Sequence, residues 1–218
     1  MKYFIANWKT NKTFNQSIEW MRVFLKNYSP NKNKIVIVCP PSPFISVLKE
    51  MISKKSNIFI GSQDISVFEQ GTYTGEVSAL NLSDMISYSI ISHSERFQHM
   101  QETSEISFRK SQLAHKYGFT RFYCIKNEYD SFPQDVEFLC YEAIDAISSG
   151  DGKGKNKPLE EIVKLKRKLS LQSGVGFIYG GSVNENNCKE YVLSPEIDGL
   201  LVGGASLNPE RFLSIINS

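Results

Sequence analysis

The sequence predicts a parallel α/β fold with eight strands, and three observations carry that prediction. Eight short apolar runs follow one another along 218 residues. Most of them are continuous rather than alternating, as strands buried on both faces require. Amphipathic stretches separate nearly all of them, the alternation that places helices outside a parallel sheet. The length lies inside the span of single-domain α/β barrels, near the lower end. Spacing alone does not separate a closed barrel from an open doubly wound sheet.

The elements read in order. Tyr3–Ala6 follows only Met1 and Lys2; it is too short to be a signal peptide and reads as a first strand. Phe14–Tyr28 is amphipathic and helical. Ile35–Cys39 is a strand, and Pro43–Lys54 a helix with Pro43 in its first turn. Ile58–Ser62 is a strand, followed by a long loop from Gln63 and a helix over Ser78–Met85. Tyr88–Ser92 is a strand and Thr103–Tyr117 a helix. Arg121–Ile125 and Val136–Tyr141 are strands. Pro158–Leu171, Glu185–Leu193 and Pro209–Ile216 are helices, interleaved with strands at Gly176–Tyr179 and Gly199–Val202. That gives seven helices for eight strands, and the vacancy falls between strands five and six. A parallel crossover normally takes a dozen residues or more. Lys126–Asp135 is shorter, contains Pro133, and carries the polar pairs Asn127-Glu128 and Asp130-Ser131. The fifth helix is therefore expected to be missing or vestigial. Helices from Thr103–Tyr117 or Pro158–Leu171 are expected to lean across the bared wall, in preference to its burial in a tetramer.

Composition excludes several functions. A formal charge of +2 and a pI of about 8.2 give no basic face for nucleic acid. No apolar run reaches the length of a membrane span. Cys39, Cys124, Cys140 and Cys188 contain no C-x-x-C pair and read as reduced, buried thiols of a cytoplasmic protein. The three histidines lack metal-ligand spacing, so neither a metal nor another cofactor is expected. Gly150–Lys157 fails the nucleotide P-loop pattern and reads as a functional loop.

Polar residues gather just after the strand ends: Asn7 and Lys9, then His93, Ser94 and Glu95, then Glu142, Gly180-Gly181-Ser182 and Gly203-Gly204. Asn7-Trp8-Lys9, Ser92-His93-Ser94-Glu95-Arg96, Tyr141-Glu142, Tyr179-Gly180-Gly181-Ser182-Val183 and Asp198–Ser206 resemble, in order, the signature segments of the triosephosphate isomerases. Gln63–Ser78, with Gly71-Thr72-Tyr73-Thr74-Gly75-Glu76, resembles that family's long third loop. Any one segment is weak; six in order, over nearly the whole chain, are specific.

The resemblance implies one (β/α)8 TIM barrel over residues 1–218, shortened at its fifth helix. It implies interconversion of dihydroxyacetone phosphate and glyceraldehyde 3-phosphate, in glycolysis and gluconeogenesis. Glu142 is then the base, made more basic by burial, with Ile147 and Leu201 as its apolar clamp. His93 is the electrophile, kept neutral by a helix N-terminus. Lys9 and Asn7 assist, and Glu95 holds Lys9. The phosphate is expected on the amides of Gly203 and Gly204, near Ser182, with Ser148 in the position of the family's lid glycine. The family's third loop enters a pocket of a neighbouring subunit. A homodimer is therefore implied, with Thr74 near the other copy's Asn7 and Glu76 pairing with Arg96 across the interface.

The lid departs most from the family pattern. Ala143 stands for its hinge proline and Asp145 for its tryptophan. Phe97 replaces a second arginine after His93, and Lys126-Asn127 replace a Gly-Glu pair. Another phosphate-binding barrel is disfavoured by the set Asn7, Lys9, His93 and Glu142. A paralogue without turnover has the altered lid as its only support.

Overall fold

The computed structural model describes residues 1–143 and 156–218. Its strands are β1 (Lys2–Asn7), β2 (Lys34–Cys39), β3 (Ile58–Ser62), β4 (Tyr88–Ile91), β5 (Thr120–Ile125), β6 (Phe138–Tyr141), β7 (Gly176–Tyr179) and β8 (Gly199–Val202). Each pairs in parallel with its sequence neighbours, and β1 also pairs with β8, with Phe4 opposite Leu200. The sheet closes in the order β1 to β8. Closure settles the barrel against the open sheet.

The alternation of side chains explains why continuous apolar runs are needed. Ile5, Ile37, Ile90, Phe122, Ile178 and Leu201 point into the barrel with Cys39, Cys124 and Cys140 and fill it. Their neighbours, such as Phe4, Val36, Tyr123 and Phe177, point out and meet the helices. Those helices are α1 (Phe14–Asn27), α2 (Ile45–Met51), α3 (Ala79–Leu82), α4 (Ser94–Met100), α5 (Ser104–Lys116), α6 (Leu159–Lys168), α7 (Cys188–Leu193) and α8 (Pro209–Asn217). Local sequence sets their starts. Thr13 and Gln16 form a reciprocal capping box for α1. Asn208 caps α8 through the Arg211 N–H at 2.8 Å, with Pro209 in the first turn.

Strand ends shift by a residue or two from the sequence reading. The sixth strand opens at Phe138 rather than Val136, because Gln134 and Asp135 form a turn after Pro133. Periodicity gives no helix at α4, which is seven residues long with only Phe97 and Met100 apolar; only the resemblance places a helix start at His93.

Residues 126–137, between β5 and β6, contain turns and no helix. Asp130 accepts from the Lys126 N–H at 2.6 Å, and Asn127 from the Tyr129 N–H at 2.8 Å. The returning chain is pinned by Arg121 of β5, 1% exposed. Its guanidinium bonds both oxygens of Glu137 (3.0 and 2.9 Å), the Asp135 carboxylate (3.2 Å) and carbonyl, and Ser111 of α5 (3.3 Å). Phe132 and Val136 pack into the core, Phe108 of α5 meets Tyr123 edge-on, and Lys168 of α6 bonds Glu128 at 2.8 Å. Flanking helices and one buried arginine thus contact the return.

Candidate active site

The C-terminal ends of β1, β4, β6, β7 and β8 meet on one rim. Glu142 follows β6 and is 2% exposed. One of its carboxylate oxygens lies 2.8 Å from His93 Nε2, and the other accepts the Ser94 N–H at 2.9 Å. His93 caps α4, and the Glu95 N–H donates to its Nδ1 at 3.3 Å. That bond needs a lone pair on Nδ1, which leaves the ring proton on Nε2, facing Glu142.

Lys9 Nζ pairs with Glu95 at 2.5 Å, and the Lys9 N–H donates to Asn7 Oδ1 at 3.0 Å. A Cβ placed on Gly203 would lie 3.5 Å from Lys9 Cε and 3.8 Å from Nζ, so the ammonium rests against the β8 glycine turn. Gly204 opens a 3-10 turn, Gly204–Leu207, whose leading amides have no partner inside the turn. Such an end favours an anion.

Three non-glycine residues at this rim have left-handed backbone: Lys9 (φ +52°), Ser92 (φ +66°) and Ser182 (φ +48°). Each such residue costs about 1 kcal/mol or more. Ser92 thus sits in a conformation that glycine would adopt at no steric cost. Gln63 braces Lys9: its Nε2 donates to the carbonyls of Lys9 and Cys39, both at 2.9 Å. The sequence presents Gln63 only as the start of a loop; a half-buried carboxamide spanning two strand ends has no local signature.

Neighbouring groups change the ionisation that burial alone would give. Burial raises the Glu142 carboxyl, but His93, the Ser94 N–H and Lys9 outweigh it and hold the group below its ordinary value. Burial lowers His93, yet Glu142 and then Glu95 outweigh it and raise the imidazole. The Glu95 N–H aimed at Nδ1 limits that rise, since an imidazolium would have to carry its second proton there.

The structure therefore brings Asn7, Lys9, His93, Glu95, Glu142 and Gly203 together, with Ser182 and Gly204 at adjoining strand ends. Leu201 sits by Glu142: a Cβ on Gly180 would lie 3.4 Å from both Glu142 Cγ and Leu201 Cβ. Ile147, Ser148 and Asp145 lie outside the described residues, as does most of the segment read as a lid. Among the described residues no metal-ligating cluster exists and no helix is long and apolar enough to cross a membrane. The four cysteines are buried and unbridged, and burial pushes the Cys39 and Cys124 thiols up, away from nucleophilic use.

A cavity of about 640 Å³ adjoins the site, lined by Asn7, Lys9, His93 and Glu95 and by Gln63, Asp64, Ser66 and Glu76 of the third loop. Inside the chain, Arg96 bonds Asp64 (2.8 Å) and Glu102 (2.7 Å) through Nε, and Glu76 accepts from Ser66 at 2.5 Å. A Glu76–Arg96 pair across an interface would have to use the outer guanidinium nitrogens.

The sequence matches the family model described as triosephosphate isomerase over residues 2–137 and again over 131–218. The chain belongs to the triosephosphate isomerase family. It is 30% identical to the triosephosphate isomerase of Dictyoglomus thermophilum, covering 100% of this chain and 99% of the relative. It is 34% identical to that of Trichodesmium erythraeum, covering 97% and 96%. Membership makes it an isomerase. The two matched pieces overlap at residues 131–137, inside the β5–β6 return. The alignment to the Dictyoglomus thermophilum protein runs over 248 positions against 218 residues here. Two departures from the family pattern prove to be neighbours: Lys126 Nζ stands 4.1 Å from the centre of the Phe97 ring.

Proposed function

We propose that this isomerase interconverts dihydroxyacetone phosphate and D-glyceraldehyde 3-phosphate through an enediolate. The observation that carries the reading is the Glu142–His93 contact at 2.8 Å, beside the Lys9–Glu95 pair and against Gly203. A base and a donor one hydrogen bond apart fit a reaction that moves one proton between adjacent carbons. Glu142 takes the proton from the first carbon and returns it to the second. His93 Nε2–H donates to the oxygen on which charge develops. Both oxygens of Glu142 are engaged, by His93 and by the Ser94 N–H, and substrate displaces those bonds. Lys9 supplies positive charge, Asn7 an amide, and Glu95 holds Lys9. The phosphate lies on Gly203, Gly204 and Ser182, with Ser148 contributing from the lid. No metal or cofactor takes part.

A coupled assay of dihydroxyacetone phosphate isomerisation tests this. The parent should turn over, and Glu142→Gln should lose about 10²- to 10⁴-fold. A parent without turnover, or a variant as fast as the parent, sinks the reading.

The same reading places the protein in the cytoplasm, in glycolysis and gluconeogenesis, as a homodimer. Its third loop, with Tyr73 43% exposed at the tip, seats in the 640 Å³ cavity of the other copy, Thr74 toward Asn7. Met100, 63% exposed, adds apolar surface on α4. Sedimentation at micromolar concentration should give a dimer; a fully active monomer would refute the role of this loop.

A further inference from the structure

We propose that Tyr191 is a positioning residue for the phosphate end of the site: from α7 it ties residues 156–157 to Tyr179 and so holds the turn Gly180–Ser182. The inference rests on the placement of phosphate beside Ser182 proposed above. Nothing in the isomerase signature segments calls for a tyrosine at this position.

Tyr191 and Tyr179 are both fully buried, with ring centres 4.7 Å apart. Their hydroxyls grip one residue from two sides. The Lys157 N–H donates to Tyr179 Oη at 2.8 Å, and Tyr191 Oη donates to the Lys157 carbonyl at 2.7 Å. Tyr191 Oη also accepts from Asn156 Nδ2 at 2.7 Å. The hydroxyl is thus used as donor and acceptor, which a phenylalanine could do in neither sense.

Tyr179 connects this grip to the anion site. A Cβ on Gly181 would lie 2.4 Å from Tyr179 Oη, so the phenol is packed directly against the backbone of that glycine. The next residue, Ser182, is held in the left-handed region at φ +48°. Its carbonyl accepts from Asn187 Nδ2 at 3.0 Å. Asn187 is the residue before α7, and Tyr191 stands four positions later, on the same face. One helix face therefore reaches the turn twice, at Ser182 through Asn187 and at Gly181 through the two tyrosines, whose rings meet at a tilt of 52°. Removing the Tyr191 hydroxyl takes one partner from Asn156 and one from the Lys157 carbonyl, and loosens the Tyr179 phenol against Gly181. The strained turn then relaxes. The loss falls on phosphate binding first, because the tyrosine grip bears on Gly181 and the Asn187 bond on Ser182, whereas Glu142 is held by its own bonds to His93 and the Ser94 N–H.

The test is Tyr191→Phe in the full chain, with inorganic phosphate as probe. Calorimetry should show phosphate binding weakened by about three- to tenfold, the scale of one lost hydrogen bond. KM for dihydroxyacetone phosphate should rise by the same factor while kcat stays within about twofold. Asn156→Ala, which removes only a partner of that hydroxyl, should weaken phosphate binding in the same direction and by less. If Tyr191→Phe fails to fold, Asn156→Ala and Asn187→Ala carry the test. Unchanged phosphate binding in a folded variant, or a loss confined to kcat, overturns the proposal. An inactive parent whose phosphate binding weakens as stated would sink the proposed reaction and leave this inference standing. An active parent with phosphate binding insensitive to Tyr191 would do the reverse.

Discussion

The rim of the barrel and its wall at β5–β6 have followed different rules. At the rim, Lys9, His93, Glu95 and Glu142 come from three strand ends and meet within 2.5–2.8 Å of a partner, with strained backbone at Lys9, Ser92 and Ser182. At the wall, a whole helix is replaced by turns, Phe132, Val136 and the buried Arg121. The contrast fits the function proposed above. Proton transfer demands atoms placed within a fraction of an ångström, and a misplacement of about 1 Å can cost 10²-fold. A wall must only cover apolar surface and pair its polar groups, and many sequences satisfy that.

The sharpest way to break this comparison is a crossed pair of variants. Glu142→Gln should lose the about 10²- to 10⁴-fold in rate given above, while its denaturation midpoint changes little by comparison. Arg121→Met should do the opposite. It leaves Glu137 and the Asp135 carbonyl short of their partner and should destabilise by about 1–3 kcal/mol; both carboxylates are more than a third solvent-exposed or close to it, which holds the figure down. Its kcat should stay within about threefold. If Arg121→Met costs as much rate as stability, the wall is part of the catalytic machinery and the distinction fails.

The same contrast explains what could be read from sequence. All eight strands were legible because each is short, apolar and bounded by polar residues. The rim residues were legible because they sit in contiguous segments such as Asn7-Trp8-Lys9 and His93-Ser94-Glu95. Gln63 was not, because bridging the Lys9 and Cys39 carbonyls is a long-range act with no local pattern. Helix α4 was not, because seven mostly polar residues show no period. The role of Arg121 was hidden for the opposite reason: an arginine opening an apolar strand reads as an exposed edge, and only the returning Asp135 and Glu137 justify burying it. The charge balance at Glu142 was misread because burial is visible in a sequence and the partner 49 positions away is less so; His93 reverses the sign.

That reversal gives a smaller and sharper test. His93 is raised above the ordinary 6.5, so its contribution to stability is full below that value and is lost as pH climbs through the raised one. Glu142 is held below the ordinary 4.5, so its contribution is full above that value and is lost as pH falls through the lowered one. The pair therefore stabilises most between those two ordinary values. In Glu142→Gln, the His93 ring should titrate at lower pH by nuclear magnetic resonance. The stability gap between parent and variant should be widest in that window and narrow at pH 9. A His93 titration identical in both proteins would mean the contact is not electrostatic in solution.

The smallest expected effect asks whether the two regions are joined at all. Phe97 lies on α4, three residues after Ser94, whose N–H holds Glu142; Lys126 opens the shortened return. Their contact, 4.1 Å from ammonium to ring centre, joins an altered rim residue to an altered wall residue. Both are half-buried, so the attraction is worth about 0.5–1 kcal/mol. A double-mutant cycle of Phe97→Leu and Lys126→Met isolates it, since each replacement keeps most of the apolar bulk. A coupling of that size would mark the two departures as one linked change. Additive single effects would mean that Phe97 and Lys126 changed separately, and that rim and wall are as independent as the crossed variants assume. The coupling should also resist salt better than an exposed ion pair, because the ring bears no net charge to be screened; a cycle energy that vanishes at 0.5 M salt would point instead to an acidic neighbour of Lys126.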